Sequence, residues 1–287
     1  MKIGLSTYSL SRAITTGEMD VLHAVQWVAD NGGEHVEISP FGFDLEESPE
    51  LIQAIVEKAQ EVGVDISNYC VSSNFIQPDH SEYEREIERV IKHVDIAKAL
   101  GVSTMRHDVA FRPVDECAIQ QFEADLESLV NACRIIADYA AQHQITTSVE
   151  NHGFFIQSSG RIQSLIHAVN RTNFKTTLDI GNFMCVDEDP VAAVKKNLPF
   201  ACVVHLKDFY LRPADRNPGT GWFQTASGNH LRGAIIGHGD IKIPEVLRLI
   251  KESGYDGYIS VEFEGMEECR LGSKLGMENV KRMLAEA

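Results

Sequence analysis

What this chain has little of narrows the field before any motif is read. Basic residues are outnumbered, 26 Lys and Arg against 42 Asp and Glu, for a net charge of −16 over 287 residues. A field of that sign repels phosphate backbones, and no basic run offsets it, which argues against nucleic acid as a partner. No stretch of about 18 apolar residues occurs, so no transmembrane helix and no membrane partner are expected. The opening Met1-Lys2-Ile3-Gly4-Leu5-Ser6 enters a strand-like pattern without a long apolar signal core, which makes a cytoplasmic protein the expectation. The six cysteines are scattered with no C-x-x-C spacing, the usage of reduced thiols and not of a disulfide framework or a zinc–cysteine site. No glycine-rich phosphate turn follows an early strand, which speaks against a doubly wound dinucleotide-binding sheet. Gly237-His238-Gly239 follows a long loop and not a strand, so it is no such fingerprint. No Pro/Ser-rich linker or charge block divides the chain, so residues 1–287 read as one domain.

What is present is a repeated alternation. Strands are expected at 2–7, 35–39, 65–71, 103–108, 145–150, 175–179, 201–207 and 257–263. Helices are expected at 18–31, 49–62, 81–100, 116–143, 161–169, 190–197, 244–253 and 266–285. Pro49 sits near the first turn of its helix, and Gly63, Gly101 and Gly254 stand where helices stop. Strands alternating with helices imply parallel pairing. Eight such units fit an α/β fold of the (β/α)8 barrel type, which needs ~250 residues.

In a barrel the C-terminal strand ends converge on one mouth, where chemistry sits. Thr176-Thr177-Leu178-Asp179-Ile180-Gly181-Asn182 is an apolar, β-branched run that ends in a carboxylate and a turn. The same grammar gives Glu150 in Thr147–Gly153, His205 in Val203–Asp208 and Glu262 in Ile259–Gly265. These four residues close the fifth to eighth strands, adjacent staves, so they can face one point. Converging carboxylates without a cation would raise one another's pKa. One divalent ion removes that difficulty, and oxygen ligands with one imidazole suit Mn, Mg or Co, with Zn also possible.

Each residue also has a plainer reading. A single acid at a strand end serves as a helix cap or turn residue, and His205 alone could be a hydrogen-bonded barrel residue. Asn151 and His152 either shape the turn after the fifth strand or contact substrate. Arg106-His107-Asp108 closes the fourth strand with three polar groups, for which an ion pair between Arg106 and Asp108 is the structural alternative. Lys207, two residues past His205, points the same way along its strand and either binds substrate or pairs with an acid. Glu37, ending the second strand, is similarly placed. Glu46-Glu47 and Glu267-Glu268 read as solvated faces. The segment 210–240, with Arg212, Asp215, Arg216, Trp222, Asn229, His230, Arg232 and His238, is longer than compact domains usually allow. It is expected to be a lid over the mouth that supplies Arg or His contacts, the alternatives being a flexible excursion or an oligomer contact.

Ser148-Val149-Glu150-Asn151-His152, Leu178-Asp179-Ile180-Gly181-Asn182, Val204-His205-Leu206-Lys207-Asp208, and the closing run from Gly237-His238-Gly239-Asp240-Ile241 through Gly254-Tyr255-Asp256-Gly257-Tyr258 to Val261-Glu262 resemble the sugar phosphate isomerase/epimerase group of xylose isomerase-like TIM barrels. The resemblance covers nearly the whole chain. It implies that Glu150, Asp179, His205 and Glu262 hold Mn or a similar ion and that Glu150 and Glu262 double as the acid/base pair, with no organic cofactor. Arg106, His107, His152, Asn182, Lys207 and His238 are then candidate substrate contacts. The implied substrate is a small sugar, sugar phosphate or cyclitol, and the implied assembly a homo-oligomer, dimer or tetramer.

An enediolate formed next to a ketone accounts for epimerisation, for aldose–ketose isomerisation, or for dehydration of a cyclitol ketone or keto acid of the inosose or dehydroshikimate type. A carbohydrate-binding barrel without catalysis is the reading from another class. The chain departs from the sugar epimerases at two places: Asn182 stands where they show His, and Leu211 stands where they show Arg, with Arg212 one step further. The apurinic endonucleases related to this group need additional His ligands for three zinc ions, which Asn182 does not provide and which His107 and His230 would have to imitate. Arg106, Lys207, Arg212 and Arg216 are the cations available for a substrate phosphate, should there be one.

Overall fold

The computed structural model describes residues 1–287. Eight parallel strands close into a barrel: β1 (Lys2–Ser6), β2 (His35–Ile38), β3 (Asp65–Val71), β4 (Thr104–His107), β5 (Thr146–Glu150), β6 (Phe174–Asp179), β7 (Ala201–Leu206) and, beyond the small strands introduced below, Tyr258–Val261. That last strand pairs with β1 through Lys2–Tyr258 and Leu5–Val261 and with β7 through Ser260–His205, which shuts the cylinder. Glu262 lies one residue past it and stays in line because its N–H donates to Leu206 O at 2.9 Å.

Helices wrap the outside: α1 (Ser11–Thr15), α2 (Val21–Asp30), α3 (Pro49–Val62), α4 (His80–Leu100), α5 (Ile119–Ala141), α6 (Ser159–Val169), α7 (Pro190–Asn197), α8 (Ile243–Glu252) and α9 (Cys269–Glu286). Their starts follow capping chemistry. Asp20, Asp79 and Asp189 accept backbone N–H groups at the heads of α2, α4 and α7, and Pro49 and Pro190 sit in first turns where their missing N–H costs nothing. Gly63 and Gly101 end α3 and α4 at φ 75°, a conformation side chains with a Cβ resist. Their apolar faces and the strands' outward residues form one continuous core. No helix is long and apolar enough to cross a membrane.

Three expectations are corrected. The chain between β1 and α2 holds a 3-10 turn (Thr7–Leu10) and α1, so the helix expected from Glu18 begins only at Val21. The last helix begins at Cys269 and not Met266, because the Glu268 carboxylate accepts Arg270 and Leu271 N–H; this residue caps a helix where a solvated face was expected. The segment 210–240 is no structureless loop. It contributes to a three-stranded antiparallel sheet of β8 (Asp208–Arg212), β9 (Phe223–Gln224) and β10 (His230–Ala234), in the order β8-β10-β9, so that the closing barrel strand Tyr258–Val261 is β11. Two aspartates tie this sheet down. Asp208 accepts N–H bonds from Phe209, Gly237 and Gly239 at 2.9 Å, and Asp187 accepts from Thr225, Ser227 and Asn229.

Candidate metal centre and cavity

Glu150, Asp179, His205 and Glu262 meet at the mouth, one ligand atom from each lying within 4.8 Å of the others. The local hydrogen bonding aims them. Asp179 Oδ1 accepts the N–H groups of Gly181 and Asn182, both at 2.8 Å, from the turn that follows β6. Its Oδ2 is buried with no hydrogen-bond partner. On His205, Nε2 meets the fully buried Glu37 carboxylate at 2.8 Å, while Nδ1 has no hydrogen-bond partner and lies 3.3 Å from Glu262 and 3.7 Å from Glu150. A histidine held on one nitrogen by a carboxylate presents the other as a metal ligand of raised basicity. Asn182 Nδ2 donates to Glu150 Oε1 at 3.0 Å. Buried Asp179 Oδ2 and His205 Nδ1, neither of which takes part in a hydrogen bond, make with two further carboxylates a donor set that suits a divalent ion, and the residues present fit one.

Charges around the quartet are closely matched. Arg106 reaches Glu150 at 2.7 Å and Asp108 at 3.1 Å, and Lys207 Nζ lies 3.1 Å from Glu262, 3.4 Å from Asp179 and 3.7 Å from Glu264. Burial pushes the Asp179 carboxyl up to about 6 against the pull of Lys207. Burial pushes the Glu150 carboxyl the same way, but Arg106 and His205 prevail and hold it well below the usual range. Burial raises and His205 lowers the Glu37 carboxyl, which ends at about 2. The His205 imidazole is disfavoured as a cation by burial, yet Glu37 and Glu262 lift its pKa well above the ordinary value.

Above the quartet opens a cavity of about 430 Å³, within the range of small-molecule sites. Glu150 and Glu262 border it, while Asp179 and His205 lie beneath.

A model of the "Xylose isomerase-like TIM barrel" family matches residues 25–286. The chain belongs to that family. Among curated relatives, the inosose isomerase of Halalkalibacterium halodurans is 21% identical over 96% of this chain and 94% of its own. An inosose dehydratase of Bacillus anthracis is 24% identical over 63% of this chain and 64% of its own. The solved D-psicose 3-epimerase of Clostridium cellulolyticum H10 superposes with a TM-score of 0.74 at 16% identity, covering 99% of both chains, a likeness of fold.

Within this xylose isomerase-like barrel, Arg106, His152 and Lys207 line the cavity, and Asn182 is buried between Glu150 and Lys207. Two expected substrate contacts are not in its wall. His107 alternates to the other side of β4 from Arg106, donates from Nδ1 to Asp108 O, and packs against Phe75 and Phe174. His238 is exposed on the turn after β10. No residue of 210–240 lines the cavity, so the Arg and His contacts expected from that segment are absent from its wall. Arg212 instead pairs with Asp240 at 3.4 Å and stacks on Trp222.

The far wall was not legible in the sequence. Glu46, assigned there to a solvated face, lies 2.9 Å from His93 Nε2 and 3.5 Å from Arg89, while Tyr69 Oη meets His93 Nδ1 at 2.8 Å. A signal did exist: Arg89 and His93 stand one helical turn apart on α4, where neighbouring buried positions are apolar.

Proposed function

We propose that this chain is a divalent-metal-dependent isomerase or epimerase of a sugar, sugar phosphate or cyclitol that moves a proton through an enediolate. The observation that carries the reading is the division within the quartet. Asp179 and His205 are sealed under the floor, where they can only anchor, whereas Glu150 and Glu262 face the cavity, where they can anchor and also reach a ligand. A bound divalent cation would supply Lewis-acid polarisation of a substrate carbonyl. One glutamate takes the proton from the carbon beside that carbonyl, and its counterpart returns a proton to the opposite face, which inverts that carbon. Return to the neighbouring carbon gives aldose–ketose isomerisation. Arg106 pairs with Glu150 and Lys207 with Glu262, which places positive charge beside the developing oxyanion. Isomerisation, dehydration and epimerisation, the reactions in the relatives' names, can share this opening step, which supports the reading without choosing among its outcomes.

A second reading, dehydration, has its own observation. His152 borders the cavity with Nδ1 3.5 Å from Asp108 Oδ1. Burial lowers its pKa and Asp108 raises it, with Asp108 prevailing, a balance that favours the proton-donating form which a departing β-hydroxyl would need.

Protein supplied with Mn is to be incubated in D2O with free ketoses, ketose phosphates and cyclitol ketones, and deuterium uptake and water loss followed by NMR and mass spectrometry. Deuterium in a recovered ketose establishes isomerase or epimerase chemistry; an unsaturated product establishes dehydration. Glu150→Gln and Glu262→Gln should each lower exchange ~1000-fold with the fold intact. Undiminished exchange in either variant removes that residue from the proton-transfer role, and the absence of both exchange and water loss with every ketone leaves only a carbohydrate-binding barrel.

A further inference from the structure

Resting on the proton-transfer reading above, we infer that the cavity selects an uncharged polyhydroxy ketone, open-chain or cyclic, and turns away substrates that carry a phosphate or carboxylate.

The argument is one of charge and of what each charge already holds. Six carboxylates line the cavity, Asp44, Glu46, Asp108, Glu150, Glu262 and Glu264, against three permanent cations, Arg89, Arg106 and Lys207. None of the three is free. Arg106 is shared between Glu150 and Asp108, and Lys207 among Glu262, Asp179 and Glu264. Arg89 makes two bonds of 2.9 Å to Glu86, donates to Ser72 O and lies 3.5 Å from Glu46. With a divalent ion on the quartet, the six lining carboxylates and Asp179 would still outnumber the combined positive charge of the ion, Arg89, Arg106 and Lys207, so no surplus of positive charge arises.

The two other arginines available for a phosphate are elsewhere. Arg212 is spent on Asp240 and Trp222, and neither it nor Arg216 reaches the cavity wall. A phosphate dianion entering here would have to strip a buried carboxylate of its partner and leave that charge unpaired.

Hydroxyl groups meet the opposite situation. Carboxylate oxygens of Glu46 and Glu264 and the Tyr8 hydroxyl oxygen, whose proton goes to Glu264, offer acceptors suited to neighbouring hydroxyls. Phe41, Phe43 and Phe111 supply apolar faces for ring C–H groups. That combination of acceptors and aromatic surface suits a neutral polyol.

The test compares partners that differ only in charge. Mn-supplied protein in D2O is given ketohexoses and cyclitol ketones, each beside its monophosphate, with D-fructose and D-fructose 6-phosphate as the first pair. The expected result is exchange into uncharged members, with kcat/KM for the phosphorylated partner lower by ~100-fold or more, as like-charge juxtaposition imposes. A phosphorylated member exchanging as fast as its free partner overturns the inference and leaves the proton-transfer reading standing. Exchange into no member of the panel overturns both. Glu46→Gln, which releases one acid from Arg89, should narrow the gap ~10-fold. An unmoved gap overturns the assignment of discrimination to matched cations at this wall.

Discussion

Replacing Glu37 by Gln tests the metal centre without touching a metal ligand. The Glu37 side chain is fully buried, and Oε2 receives His205 Nε2 at 2.8 Å and Asn68 Nδ2 at 3.0 Å. This carboxylate can only accept, so it requires the proton on Nε2, and the proton that metal uptake displaces is the one on Nδ1, whose lone pair then faces Glu150 and Glu262. Glutamine keeps the volume but can present an N–H to Nε2. That stabilises the opposite tautomer, whose Nδ1 proton blocks coordination. Losing a carboxylate behind a histidine ligand typically weakens metal binding 10- to 100-fold, about 1.4–2.7 kcal/mol. The assay is calorimetric titration of metal-free protein with Mn at fixed pH, with circular dichroism to confirm the fold. A Kd for Glu37→Gln within about twofold of the original would refute the reasoning, since the expected loss is at least ~10-fold.

Two further outcomes follow from the same geometry. In metal-free protein the raised His205 pKa contributes stability that is complete below the ordinary value of 6.5 and fades as pH rises through the folded value. Glu37, depressed from 4.5 to about 2, contributes stability that is complete above 4.5 and fades as pH falls toward 2. The pair therefore stabilises metal-free protein most between those limits, which thermal melts against pH will show as a plateau. Because coordination needs a neutral imidazole, metal uptake at neutral pH should release about one proton, read from calorimetry in buffers of different ionisation enthalpy; no release would refute the protonation assigned to His205. Asp208→Asn replaces a carboxylate that accepts several backbone N–H groups with an amide that can satisfy only part of them. It should cost about 2–3 kcal/mol in denaturant unfolding and speed amide exchange at Gly237 and Gly239, and unchanged exchange would show that Asp208 does not hold that turn.

The quartet was legible because the barrel makes a one-dimensional signal three-dimensional. Glu150, Asp179, His205 and Glu262 each end an apolar run, and strand ends in this fold share a mouth. Glu37 was visible as a strand end but its role was not, since its partner His205 lies 168 residues away and meets it only across the closed cylinder. His107 was placed at the mouth because three polar residues in a row were read together, although alternation lets only every second one face inward. Glu46 looked like surface because an acidic pair in a polar stretch usually is, and nothing local shows that α4 will bring His93 beneath it. The small sheet was missed because β9 has only two residues and β10 contains Arg232 and Gly233, too short and too polar for an alternating signal.

Lys207 is the single residue between β7 of the barrel and β8 of the small sheet. Its backbone therefore joins the two directly, and its ammonium sits against Asp179 and Glu262. The start of the outer sheet and the cation at the centre of the mouth are therefore set by one residue. A relative with a different insertion after its seventh strand would thus change the electrostatics of its chemistry while every barrel residue stayed the same.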